Sequence, residues 1–283
     1  MEDFMKRYRQ LGAKIIPLKI RSSLRVNTIK TNVADLKNRL ESKKIKLEKI
    51  NFTKEGFFYS ANFSLGATPE YLLGLYNLQE AASQLPVEML DPKSICWDMC
   101  AAPGQKTAQL AQYCKAVIAT DKNQKRLDAL NNNIERLGIK NVISYCADAN
   151  SISKKFDYIL LDAPCSGNFA NDPNWFKKKK VSEFKKMSIR QKQLLKTGIK
   201  NLNKNGLLLY STCTLEPEEN EEVIDWALKK FNIRLEPLDC IGNPGLINVF
   251  GRKLSNEIKN CRRLWPNETG TQGFFMAKIR KND

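Results

Sequence analysis

The chain has 283 residues, 42% of them apolar, enough for one large domain or for a domain with a smaller companion. It carries 47 Lys and Arg against 30 Asp and Glu, a net charge of +17, and no histidine. The basic excess predicts a polyanionic partner, nucleic acid above all. The missing histidine excludes Cys-His and Ser-His-Asp nucleophile activation, His-containing zinc sites and the His-x-Glu deaminase motif.

The charge is clustered. Residues 177–204 hold 11 basic residues and one acid, Glu183, and residues 1–50 hold 14 basic and 5 acidic residues. The eight cysteines, at 96, 100, 114, 146, 165, 213, 240 and 261, form no Cys-x-x-Cys, so a zinc ribbon or a thioredoxin-like motif is not expected, nor is any metal. Most fall in apolar, strand-like runs, as reduced buried thiols do, which predicts a cytoplasmic protein. Residues 1–7 lack an apolar signal core, and no apolar run approaches the ~18 residues of a membrane span.

The first 92 residues read as a small, basic α+β module. Ser23–Asn27, Lys46–Ile50 and Gly56–Ala61 are strand-like, and Asn32–Ser42 has the spacing of a helix with Val33, Leu36 and Leu40 on one face. Pro69–Leu90 reads as one connecting helix offering Leu72, Leu73, Leu78, Leu85 and Leu90 to the core, stopped by Asp91-Pro92. From residue 93 strands and helices alternate. Strands are predicted at Ile95–Asp98, Ala116–Thr120, Val142–Cys146, Phe156–Asp162, Leu207–Ser211 and Gly273–Ile279. Helices are predicted at Gln105–Cys114, Lys122–Leu137, Ser182–Leu202 and Pro217–Phe231. Lys177–Lys180 reads as a solvated loop, and the acids at 216, 218, 219, 221 and 222 as the N-terminal turn of a helix begun by Pro217. Such alternation predicts an α/β, Rossmann-like, mainly parallel sheet over residues 93–283.

In such sheets ligands bind at the carboxyl ends of the strands. The first strand is followed by Cys100-Ala101-Ala102-Pro103-Gly104-Gln105-Lys106-Thr107. This is neither G-x-G-x-x-G nor a P-loop, which would need Gly at position 100. Small residues at 101, 102 and 104 still let a ligand approach the backbone. The second strand ends in Asp121, placed to accept from ribose hydroxyls, and Asp148 follows the third, placed to meet an adenine amino group. The simpler readings are a helix cap for Asp121 and a turn cap for Asp148. A ribose acid and an adenine acid without a pyrophosphate loop fit S-adenosylmethionine, with Lys106 available to its carboxylate.

Two further strands end near thiols, Cys165 in Asp162-Ala163-Pro164-Cys165-Ser166-Gly167 and Cys213 in Ser211-Thr212-Cys213-Thr214. Alone, each is best read as a small buried hydrophobe. Together at a ligand edge, they suit covalent chemistry. Cytosine C5 is a poor nucleophile until a thiolate adds to C6, and Asp162 is placed to reach N3 of the same ring. The base must then be unpaired or flipped out.

These residues resemble the Sun-type RNA 5-methylcytosine methyltransferases. Arg126, Arg25-Val26-Asn27-Thr28, Gln79-Glu80-Ala81-Ala82-Ser83 and Gly273–Lys278 carry the likeness over most of the chain. The resemblance implies a seven-stranded methyltransferase sheet with an antiparallel last strand. It implies S-adenosylmethionine held by Cys100, Ala101, Ala102, Pro103, Gly104, Gln105, Lys106, Asp121, Arg126, Asp148 and Asp162. It also implies that Cys213 attacks C6, that Cys165 assists product release and that Asp162 contacts N3. A Pro-Cys thiol is the nucleophile of DNA cytosine methylases, so the residues alone favour Cys165 for the attack. Gln105 stands where the family usually has Gly, and Asn267 where a His is common. The expected substrate is RNA, tRNA before rRNA, bound by a monomer through residues 1–92 and 177–204. The competing readings are a methylase of another target group and a non-catalytic RNA-binding or assembly factor.

Overall fold

The computed structural model describes residues 2–13, 16, 18–170, 172 and 174–283. They form two compact units, one of residues 21–152 and one of residues 153–283 with the N-terminal 20. Helix α1 (Glu2–Gln10) belongs to the second unit.

The first unit begins with β1 (Ser23–Val26), α2 (Val33–Glu41), β2 (Lys46–Lys49), β3 (Gly56–Ser60), α3 (Pro69–Leu72) and β4 (Tyr76–Leu78). The strands form an antiparallel sheet in the order β2-β3-β1-β4. Asn32 starts α2 by accepting the Asp35 N–H at 2.9 Å. Leu36 and Leu40 then pack with Leu24, Val26, Phe57 and Tyr76 in a common core.

The single helix expected over 69–90 is not formed. Its first turn ends at Gly74, whose φ is +73° and where a Cβ would lie 2.1 Å from the Arg136 carbonyl oxygen. The chain then pairs with β1, placing Asn77 opposite Arg25. Leu72 and Leu73 are exposed as a result, and Leu78 is only half-buried. Helix α4 (Ala81–Leu90) follows, with the Glu80 side chain accepting the Ser83 N–H.

Next come β5 (Ile95–Asp98), α5 (Gln105–Leu110), β6 (Ala116–Asp121), α6 (Gln124–Leu137) and β7 (Val142–Cys146). The three strands are parallel, in the order β5-β6-β7. Leu127, Leu130 and Leu137 of α6 are buried, and Gly138 closes the helix at φ +68°, as its spacing predicts.

The second unit contains β8 (Phe156–Asp162), α7 (Trp175–Lys178), α8 (Val181–Asn201), β9 (Leu202–Thr212) and α9 (Glu221–Lys230). It continues with β10 (Ile233–Glu236), β11 (Asn243–Pro244), β12 (Asn248–Val249), β13 (Arg252–Lys253), β14 (Arg262–Leu264), α10 (Pro266–Thr269) and β15 (Phe274–Lys281). Strands β8 and β9 are parallel, with Asp162 opposite Ser211, and β15 runs antiparallel to β9, as expected of the last strand. The sequence did not reveal β10 and β14, which both pair antiparallel with β15. Lys177 and Lys178 lie in α7 rather than in a loop, because Trp175 is buried beneath them. Parallel strands alternating with helices, an antiparallel last strand and a small N-terminal antiparallel sheet make the architecture α/β and Rossmann-like. Among the described residues no helix is long and apolar enough to cross a membrane.

Candidate active site

In the first unit, the segment after β5 is held from below by its own strand ends. The Ala101 N–H donates to the Thr120 carbonyl at 2.9 Å, and the Thr107 hydroxyl donates to Asp98 at 2.7 Å. Ala101 and Ala102 pack with Ala119, Leu127 and Leu130. Gly104 opens α5 at φ +104°, with Leu130 3.1 Å from where a Cβ would sit. That left-handed conformation and that contact are the local reasons for glycine here. Cys100, Gln105 and Lys106 are half-buried and Pro103 is exposed.

Asp121 is buried at the end of β6. It does not cap α6, since Asn123 accepts the Arg126 N–H in that role. The Asp121 carboxylate accepts instead from the Asn123 N–H through Oδ1 at 3.0 Å and from the Ala102 N–H through Oδ2 at 3.3 Å, and it pairs with Arg126 at 3.5 Å. Arg126 also donates to the Ala102 carbonyl, so it ties the loop to the carboxylate. A carboxylate offers about four acceptor sites, so Oδ1 retains capacity for a ligand hydroxyl. Asp148 is exposed after β7. It makes the turn cap that the simpler reading allowed, accepting the Asn150 N–H at 2.8 Å. The donor set at these strand ends therefore suits a nucleoside: an acceptor for a ribose hydroxyl, an exposed carboxylate one strand further, and a small-residue loop.

In the second unit the two thiols meet. Cys165 Sγ lies 3.3 Å from Cys213 Sγ, both half-buried, where the chain leaves β8 and β9. The hydrogen bond with Cys213, then burial, then the charges of Cys213 and Glu219 hold the Cys165 thiol well above its usual range. Asp162 stands at the end of β8, its Oδ1 accepting from the Ser211 hydroxyl at 2.7 Å.

A polar network fixes both thiol segments. Asn168 donates to the Cys213 carbonyl at 2.6 Å and to the Gly273 carbonyl at 3.2 Å. Asn220 donates to the Thr214 carbonyl at 2.9 Å. Gln191 of α8 donates to the Pro164 carbonyl at 2.9 Å, and the Trp175 indole donates to the Ser166 carbonyl at 2.9 Å. Sequence reasoning missed these residues and misread the acids behind Cys213. They do not form the first turn of a helix begun by Pro217: α9 starts at Glu221, four residues later than expected, and Glu216, Glu219 and Glu221 are fully buried. Glu216 accepts from Tyr8 at 2.6 Å and Arg7 at 2.9 Å; Glu221 pairs with Arg263 at 2.5 Å. Five acids within seven positions, directly behind a candidate catalytic thiol, were the available signal. Asn267 holds Ile16 by two backbone hydrogen bonds, at 2.9 and 3.1 Å.

Comparison with known proteins shows the family of the chain. Residues 87–280 match the family model of the 16S rRNA methyltransferases RsmB/F, and residues 1–81 match that of the N-terminal domain of the 16S rRNA methyltransferase RsmF. A tRNA (cytosine(49)-C(5))-methyltransferase of Pyrococcus abyssi is 39% identical over 93% of this chain and 88% of its own. A mouse 28S rRNA (cytosine-C(5))-methyltransferase is 38% identical over 96% of this chain, but the match spans only 36% of that relative's length. A solved methyltransferase homologue from Pyrococcus horikoshii is 42% identical, with a TM-score of 0.90 over 99% of this chain and 95% of its own. The chain belongs to the RsmB/F methyltransferase family.

Proposed function

We propose that the protein transfers a methyl group from S-adenosylmethionine to C5 of a cytosine in RNA, tRNA before rRNA, through a covalent adduct at Cys213. The observation that carries this reading is the thiol pair 3.3 Å apart at the carboxyl ends of β8 and β9, with Asp162 on the end of β8. Bound S-adenosylmethionine supplies an electrophilic methyl group on a sulfonium.

Cys100–Lys106, Asp121, Arg126, Asp148 and Asp162 hold the cofactor in this reading. The Cys213 thiolate adds to C6 of the cytosine as the ring electrons shift toward N3, which takes a proton from Asp162 and returns it when C5 is methylated. The enamine so formed places electron density on C5, which takes the methyl group. Loss of the C5 proton to a base and departure of the Cys213 thiolate restore the aromatic ring. Cys165, held protonated beside Cys213, returns a proton to the departing sulfur and so assists release.

Basic residues of 1–92 and of α8 contact the RNA backbone. Lys200 and Lys204 line a cavity of about 500 Å³ with Lys155 and Lys281, at the end of β9 opposite Cys213. The protein works as a cytoplasmic monomer. Incubation of tRNA and rRNA transcripts with labelled S-adenosylmethionine, followed by nucleoside analysis, tests the reading. The expected product is 5-methylcytosine; a labelled adenine or protein amine would replace the target, and RNA binding without transfer would make the chain an assembly factor.

A further inference from the structure

The mechanism proposed above leaves one buried carboxylate beside the thiols without a role. Glu219 is fully buried. Its Oε2 accepts from the Ser166 N–H at 3.1 Å and from Gln191 Nε2 at 2.7 Å, and its Oε1 accepts from the Ser166 hydroxyl. The Ser166 hydroxyl also lies 3.0 Å from the Thr214 hydroxyl. Ser166 follows Cys165 and Thr214 follows Cys213, so one side chain ties together the residues immediately behind both sulfurs. The Tyr210 hydroxyl of β9 fixes the Glu219 backbone by donating to its carbonyl at 2.6 Å. Gln191 turns both its donated bonds toward Glu219 and Pro164, leaving its own Oε1 buried without a hydrogen-bond partner. That orientation costs a desolvated acceptor, and the bonds it makes to Glu219 and Pro164 offset the cost.

Resting on the methyltransferase reading, we infer that Glu219 is a positioning residue: its ionised carboxylate clamps the segments behind Cys165 and Cys213 and thereby sets the spacing of the two sulfurs. Two N–H donors, from Ser166 and Gln191, fix Oε2 as an acceptor, and ionisation makes all three bonds charge-assisted; a proton on Oε1 would turn the Ser166 hydroxyl toward Thr214 and weaken the set. The clamp is therefore strongest with the charge, which the buried site resists. Burial, opposed by the bonds from Ser166 and Gln191, raises the Glu219 pKa to about 7. The titratable groups facing it are Glu216 in its own segment, itself paired with Arg7, Tyr210 from β9 and Cys165 after β8; α8 contributes only the neutral Gln191. Below about pH 7 the carboxylate takes up a proton and the clamp loosens.

Glu219→Gln and Thr214→Val test this in single-turnover methyl transfer, with RNA and cofactor affinity and thermal unfolding measured alongside. Thr214→Val removes one link between the two segments, the Ser166–Thr214 bond, and leaves the carboxylate and its three donors in place. A misplacement at the reacting centre of this kind costs up to about 100-fold in rate, so Glu219→Gln is expected to slow transfer by about that factor, and Thr214→Val several-fold. RNA and cofactor affinities stay within about twofold, since neither group touches them in this account. The pH profile supplies the readout that a purely structural role would not move. Below pH 7 the rate of the native enzyme falls more steeply than that of Glu219→Gln, by about one unit of log slope where Glu219 takes up its proton, while Thr214→Val keeps the native profile. Transfer at the native rate by folded Glu219→Gln, or a pH profile in it as steep as the native one, overturns the inference. If Glu219→Gln does not fold, native transfer by Thr214→Val overturns it. A native enzyme that makes no 5-methylcytosine in either RNA is a failure of the methyltransferase reading instead.

Discussion

The two halves of the chemistry are built differently. The nucleoside-fitting half in residues 21–152 is a contiguous loop plus two strand ends. Its positions come from backbone: Ala101 is bonded to Thr120, Gly104 takes a left-handed turn, and Asp121 accepts from the Ala102 N–H. The thiol half in the second unit depends on side chains far apart in sequence. Ser166 meets Glu219 across 53 positions, and Asn168 meets the Cys213 carbonyl across 45. Backbone sites tolerate loss of one side chain unless it is the acceptor itself, whereas a network of buried side chains loses its geometry with any single member.

Substitutions sharpen that contrast. Cys213→Ala is expected to reduce methyl transfer to background while leaving cofactor binding unchanged; transfer that survives would move the nucleophile elsewhere. Arg263→Ala leaves Glu221 buried and unpaired and is expected to cost about 3–5 kcal/mol in denaturant unfolding, because both partners are fully shielded from water. An effect below about 1 kcal/mol would mean that the acids behind Cys213 are not held as a network. Asp121→Asn removes charge from the nucleoside half alone. Cofactor Kd by calorimetry is expected to rise about 10- to 100-fold, the worth of a hydrogen bond to a charged acceptor, with the RNA affinity unmoved. The smallest effect is expected on the surface. Replacing Lys196, Lys200 and Lys204 by Glu should weaken RNA binding and flatten its salt dependence; an unchanged salt slope would remove the end of α8 and the start of β9 from the RNA contact.

What was legible in the sequence follows the same division. The loop 100–107, Asp121, the helix ended by Gly138 and the strand ending at Asp162 are local patterns that fold as read, and the strand expected at Leu207–Ser211 forms within the longer β9. The failures all have long-range causes. Leu72 and Leu73 fit a helical stripe, yet the close approach of Gly74 to Arg136 breaks the helix and β1 claims Tyr76–Leu78 as a strand. The acids at 216–222 satisfy the rule for a helix N-terminus, yet Arg7, Tyr8, Ser166, Gln191 and Arg263 draw four of them inside. No periodicity in a single segment could announce partners supplied from α1, α8 and β14.

The proposed order of the two thiols is what most needs measurement. Cys165→Ala enzyme, incubated with tRNA transcript and S-adenosylmethionine and run on a denaturing gel, should show a slow-migrating protein–RNA adduct that Cys165→Ala/Cys213→Ala lacks. An adduct formed instead by Cys213→Ala through Cys165, or none from Cys165→Ala while methyl transfer continues, would contradict the assignment of Cys213 as nucleophile and Cys165 as the thiol that releases it.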